Sequence, residues 1–118
     1  MGHSVMEYIR GDIVIVNFNP QKKGEEVGKI RPAIIISDSD LNDILDLVSV
    51  VALTTNLIDD ALPLRVRIKK KELLKEDSDA MIEQLRSISK SRIGEKIGSL
   101  RQEELVLIED GIKHMLNL

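Results

Sequence analysis

Arg31 stands directly before Pro32, at the mouth of the otherwise apolar run PAIIIS, residues 32–37. A guanidinium keeps its charge at every physiological pH, so this position suits contact with an anion such as a phosphodiester better than entry into a core. Lys22, Lys23 and Lys29 flank the same glycine-containing loop, KKGEEVGK, and with Arg31 they outline a place where an anion can settle. The plainer reading of those lysines, loop solubility, stays open beside it. Thr54 and Thr55 close a second apolar run, LVSVVALTT at 47–55, where threonine is also a good strand residue on packing grounds alone.

Other chemistries find little support. His3 and His114 lie at opposite ends of the chain, which argues against a paired-histidine acid–base site. Asp38, Asp40, Asp43 and Asp46 are spaced like helix caps and solubilising residues rather than a metal cage. Asp59 and Asp60 read as ordinary loop residues, and Lys69, Lys70 and Lys71 as a solvated strand end. There is no cysteine, hence no disulfide and no thiolate metal site. A nucleophile elbow, a phosphate-binding P-loop and zinc-ligand spacing are all missing, so no metal and no cofactor is expected.

The chain has 118 residues, read as a single domain over 1–118, with 1–9 set aside from fold reasoning. With 17 basic and 20 acidic side chains its net charge is −3, unlike domains held on nucleic acid by bulk charge. Tyr8 and Phe18 are the only aromatic residues, so a row of stacking rings is not available. No apolar run approaches the ~20 residues of a membrane span, which makes a soluble cytoplasmic protein the expectation.

The elements that must hold Arg31 and Thr54 can be read from pattern. GDIVIVNF (11–18) and PAIIIS (32–37) are β-branched runs bounded by turn residues and predict strands. Proline cannot donate to a sheet ladder, so Arg31 and Pro32 belong at a strand's start or edge. SDSDLNDILD (37–46) predicts a short capped helix with Leu41, Ile44 and Leu45 at helical spacing, and 47–55 a buried strand. LPLRVRIKK alternates Leu64, Val66 and Ile68 with Arg65, Arg67 and Lys69, which predicts a strand with one solvated face. AMIEQLRSIS (80–89) predicts a further strand, although its period alone also permits helix. Ser99 and Gln102 suggest a capping box ahead of a terminal helix with Leu105, Ile108, Ile112 and Met115 along one stripe. The sum is a mainly β protein: a small barrel of about five strands, a short internal helix and a C-terminal helix.

In this order the segments resemble the MazF/PemK family of toxin endoribonucleases from Arg10 onward. RGDIVIVNFNP is similar to the family's opening Gly-Asp strand, which ends in Asp-Pro where this chain has Asn19 before Pro20. KGEEVGKIRP matches a first loop resembling Lys-Gly-Ser-Glu-Gln-Gly-Gly-x-Arg-Pro without a gap, VALTTN matches the central strand's end, and EQLRSISKSRI (83–93) a late segment. Glu25, Val27 and Lys29 depart from the loop pattern, and Asn17 and Asn19 replace common aspartates.

The resemblance implies an SH3-like barrel of the CcdB/PemK type and a metal-independent, sequence-specific endoribonuclease. Such an enzyme cuts single-stranded RNA by 2′-hydroxyl attack, leaving 2′,3′-cyclic phosphate and 5′-hydroxyl ends. It carries catalytic roles to Arg31, Thr54 and Glu26, and RNA contacts to Asn19, Lys23, Gly24, Thr55, Gln84 and Arg86. A plain surface carboxylate remains the alternative for Glu26, and pairing across a dimer the alternative for Gln84 and Arg86. Implied partners are a second copy of the chain and a MazE-like antitoxin with a disordered C-terminal tail; no membrane is implied. Two rival readings remain: a non-catalytic, CcdB-like gyrase poison, and a degenerate member that only binds antitoxin.

Overall fold

The computed structural model describes residues 6–18 and 30–118. Seven strands form one antiparallel sheet with the path β4-β5-β3-β2-β1-β7, and β6 pairs with β3 off that path. They are β1 (Asp12–Asn17), β2 (Ile30–Ile35), β3 (Leu47–Thr54), β4 (Arg65–Ile68), β5 (Ser78–Met81), β6 (Arg86–Ser89) and β7 (Ile93–Ser99). Helix α1 (Ser39–Ile44) joins β2 to β3, and α2 (Gln102–Leu116) closes the chain.

The apolar runs are continuous because both faces of the central strands are covered. Along β1, Ile13 enters one core cluster with Ile34, Val51, Leu53 and Ile108, whereas Val14 and Val16 enter another with Ala33, Ile35, Val50 and Ile88. The stripe on α2 covers the first cluster, through buried Ile108 and partly buried Ile112 and Met115. Met6, Tyr8 and Phe18 pack on the second, so part of the segment set aside at 1–9 takes part in the fold. Gly11, at φ +94°, makes the turn into β1, a conformation that L side chains rarely adopt.

Several expectations need correction. Among the described residues the strand count is seven rather than about five. The run 80–89 is two strands, β5 and β6, broken by a 3₁₀ turn at Ile82–Gln84, and β7 was not foreseen. That turn lets one continuous sequence pair with two different stretches of β3: β5 beside Leu53 and Thr54, β6 beside Leu47–Val50. Gly94 and Gly98 interrupt the apolar pattern of β7, which hides it from an alternation test.

Ser99 does not cap α2. It ends β7, where its Oγ donates to Asp12 (3.2 Å) and its N–H to Glu72 (3.0 Å). The helix starts at Gln102, and the Glu104 carboxylate turns back to accept the Arg101 N–H at 2.9 Å. In α1, Asp38 caps as expected, accepting from the N–H groups of Asp40 and Leu41. Leu41, Ile44 and Leu45 are nonetheless exposed, and the buried residue is Asn42, whose amide bonds Tyr8 O, Ser37 O and Ser37 Oγ. Lys71 is not a solvated strand end: it forms an ion pair with buried Glu104. Asp59 is tied to Arg67 at 2.9 Å rather than idle in its loop, and the Arg67 face of β4 is therefore paired rather than simply solvated. Among the described residues no helix is long and apolar enough to cross a membrane.

Candidate active site

β2 and β3 pair with Ala33 opposite Ala52, Ile34 opposite Val51 and Ile35 opposite Val50. Each pair sums to 85, so the same register read two steps further sets Arg31 opposite Thr54. Partners across an antiparallel ladder share a face. Among the described residues the one side-chain hydrogen bond of Arg31 agrees with that placement: its Nη1 donates to Leu53 O at a long 3.4 Å.

Arg31 and Thr54 line one open cavity of about 790 Å³, together with Ile15, Pro32, Thr55, Ser78, Glu76 and Glu95. Arg31 also lines a second, smaller cavity of about 280 Å³ with Phe18, Ala52, Met81, Gln84 and Arg86. Its guanidinium thus stands where two recesses meet. Arg86 reaches this place from the first position of β6, and its guanidinium carbon sits 5.3 Å from the Phe18 ring centroid. Gln84 is presented by the 3₁₀ turn just before it.

Charge pairing separates Arg31 and Arg86 from four other arginines of the chain. Arg10, Arg65, Arg67 and Arg101 each have a carboxylate within 4.0 Å. Among the described residues no carboxylate pairs with Arg31 or Arg86. A cation left half-buried without a counter-ion, at the edge of a recess, is placed to receive an anion from outside.

Thr54 is the last residue of β3, and its Oγ1 accepts the Asn56 N–H at 3.1 Å. One lone pair is used in that turn, and the hydroxyl hydrogen stays available to donate into the cavity. Across β3 from Thr54 lies Asp79 of β5, 1% exposed, hydrogen-bonded by Arg67 Nε (2.5 Å) and by the Ile58 N–H (2.8 Å). Burial pushes the Asp79 carboxyl up, but these donors outweigh it and hold the group below its ordinary value; the Arg67 guanidinium is correspondingly raised.

Of the sequence-predicted residues, the structure brings Arg31, Thr54 and Thr55 to the larger cavity and Gln84 and Arg86 to the smaller one. Asn19, Lys23, Gly24 and Glu26 lie outside the described residues. Sequence reasoning missed Glu76, Ser78 and Glu95 of the larger cavity and Phe18 of the smaller; no spacing signal marks them, because strand pairing alone assembles them. No group of three metal-ligating side chains occurs among the described residues.

The comparisons agree with one another. Residues 9–116 match the family model described as PemK-like, MazF-like toxin of type II toxin-antitoxin system. The chain is 31% identical over 110 residues to the endoribonuclease MazF of Staphylococcus epidermidis, covering 92% of this chain and 91% of that one. It shares its fold with the MazF crystal structure (Form-I) from Deinococcus radiodurans: TM-score 0.78, 23% identity, 97% of this chain and 100% of the other. The MazE-MazF structure (Form-III) from the same organism gives TM-score 0.76 at 21% identity, covering 93% of this chain and 96% of the other.

Proposed function

The chain belongs to the PemK-like, MazF-like toxins of type II toxin–antitoxin systems, and on that premise we propose that it is a sequence-specific endoribonuclease acting at the Arg31–Thr54 cavity. The observation that carries this reading is a cation with no carboxylate partner among the described residues and a hydroxyl that line the same open recess. The name of the curated relative favours the nuclease over the gyrase-binding and purely antitoxin-binding alternatives.

RNA brings its own nucleophile. In the proposed reaction the ribose 2′-oxygen attacks the adjacent phosphorus, the new O–P bond closes a 2′,3′-cyclic phosphate, and the P–O5′ bond breaks. The proton leaving the 2′-hydroxyl goes to a base, for which the resemblance offers Glu26, and a proton is delivered to the departing 5′-oxygen. The protein's task is to align the in-line attack and to neutralise charge gathering on the phosphate oxygens. Arg31 supplies a bidentate fork and Thr54 a hydroxyl donor, so no metal is needed for that neutralisation. A guanidinium stays protonated near neutrality and is a poor base there, which assigns Arg31 to stabilising charge rather than removing the first proton.

Because Arg31 is shared between the two recesses, a phosphate on it leaves room for sugar and base on either side. Thr55 rims the larger recess; Gln84 and Arg86 line the smaller, where their donors can address unstacked base edges. Asn19, Lys23 and Gly24 complete the RNA contacts in this reading. A second copy of the chain and a MazE-like antitoxin are the proposed protein partners, supported by relatives that include MazE-MazF structures.

The test is cleavage of a single-stranded oligoribonucleotide by folded Arg31→Ala. Loss of one charge-stabilising donor predicts a rate lower by about 10²–10³. Wild-type cleavage by that variant, with its fold verified, would remove Arg31 from the reaction.

A further inference from the structure

Asp79 is nearly inaccessible and charged, and nothing in the reaction proposed above uses it. Its position is specific: from β5 it stands opposite Thr54 of β3 and opposite Arg67 of β4, so Thr54, Asp79 and Arg67 form one row across three strands. One carboxylate oxygen accepts the Ile58 N–H at 2.8 Å and the other accepts Arg67 Nε at 2.5 Å. Arg67 Nη2 in turn holds Asp59 at 2.9 Å. The segment following Thr54 is therefore tied at Asn56 through Thr54 Oγ1, at Ile58 through Asp79, and at Asp59 through Arg67.

Apolar packing gives this segment little help. Leu57 and Ile58 are 41% and 48% exposed, and neither belongs to a core cluster. The polar ties are what holds it. Thr54 Oγ1 has one hydrogen to give, and the direction of that hydrogen is set by whether Asn56 N–H occupies a lone pair. If the segment loosens at Ile58, the Asn56 turn is free to open, and the hydroxyl hydrogen can rotate toward other acceptors.

We infer that Asp79 is a positioning residue for the reaction: by clamping Ile58 it keeps the Asn56 turn closed and the Thr54 hydroxyl in donor orientation toward the bound phosphate. The inference rests on the nuclease reading of the Arg31–Thr54 cavity. Arg67, Asp59 and Arg65 are the charged groups around Asp79, and the Arg67–Asp59 pair carries the clamp outward to the loop surface.

A kinetic cycle separates positioning from mere support of the fold. Single-turnover cleavage of an oligoribonucleotide is measured for wild type, Thr54→Val, Asp79→Leu and the double variant, each verified as folded by circular dichroism. Asp79→Leu is expected to lower the chemical rate about 10- to 100-fold with KM nearly unchanged, as a small displacement of a reacting donor does. In the Thr54→Val background the same change should cost less than about 2-fold, because the hydroxyl it orients is already gone. Independent, multiplying losses overturn the inference, as does a folded Asp79→Leu at wild-type rate. If Thr54→Val itself cleaves normally, it is the nuclease reading of the cavity that fails. Should Asp79→Leu not fold, Asp79→Asn takes its place in the cycle, since its NH2 group replaces one carboxylate oxygen and cannot accept the hydrogen bond held there. In the wild type, amide hydrogen exchange must also show Asn56 and Ile58 protected; exchange at free-peptide rates in both overturns the clamp.

Discussion

Lys71 and Arg31 are both cations set against the apolar body of the sheet, and their surroundings treat them oppositely. Lys71 points at the start of α2, where Glu104 receives it, and Arg101 Nη2 lies 3.6 Å from the same carboxylate. Glu104 also accepts the Arg101 N–H, so the charge of Lys71 is met within the fold. Among the described residues the Arg31 side chain has a single, long hydrogen bond, to Leu53 O, and it lines two open recesses. A closed cluster fixes how α2 meets the sheet. An open one costs stability where it stands and is retained only where something else supplies the missing charge. Within one small protein, then, a carboxylate partner and an open recess separate Lys71, which is used for structure, from Arg31, the cation proposed for the chemistry.

The comparison can be broken from the closed side. Glu104→Ala leaves the partly buried Lys71 without its partner and should cost about 3 kcal/mol of stability, read as a lower urea midpoint. Cleavage per folded molecule should stay at the wild-type value; a selective loss of cleavage would mean that the cluster is not purely structural. A milder change at the same helix sharpens the point. A Cβ on Gly111 would come within 2.5 Å of Pro63 O and 3.0 Å of Ile82 Cγ1, so backbone must move to admit it. Overpacking of about 1–3 kcal/mol, partly offset by alanine's helix preference of roughly 1 kcal/mol, predicts a Gly111→Ala protein less stable by about 1 kcal/mol.

Acid provides the gentlest test. Burial raises the Glu104 carboxyl, but the donors Lys71 and Arg101 more than compensate, and its pKa lies below the ordinary value. Asp79 is lowered in the same way by Arg67 and Ile58. A depressed carboxyl contributes stability that is fully present above its unfolded value, about 4, and is lost as pH falls through the folded value. The urea midpoint should therefore fall as pH is lowered below about 4, and Glu104→Gln should flatten that part of the curve while Asp79 still contributes the rest. A variant with an undiminished acid slope would remove Glu104 from the account.

How much of this was legible beforehand depends on whether local pattern or long-range pairing made the feature. β1, β3, α1 and the apolar stripe of α2 were readable because each carries its own period or cap. The division of 80–89 was not, since the 3₁₀ turn at Ile82–Gln84 is dictated by two different partners on β3. β7 was missed because its glycines dilute the apolar signal, and with it went Glu95 of the larger cavity. Ser99 followed by Gln102 looks like a cap in isolation, yet strand pairing with Asp12 holds Ser99 in the sheet. At the site itself, Arg31 was conspicuous as a charge before a proline in an apolar run. Thr54 needed the family resemblance, and Asp79 had no sequence signature, because its meaning lies in facing Thr54 and Arg67 across strands distant in the chain.

The account's central claim is that an uncompensated guanidinium and a facing hydroxyl let RNA cut itself by cyclisation. End-group analysis after incubating the wild-type protein with single-stranded RNA in excess chelator tests it most directly. The account predicts cleavage with 2′,3′-cyclic phosphate on one fragment and a 5′-hydroxyl on the other. Intact RNA under those conditions, or fragments bearing 5′-phosphates, would contradict it.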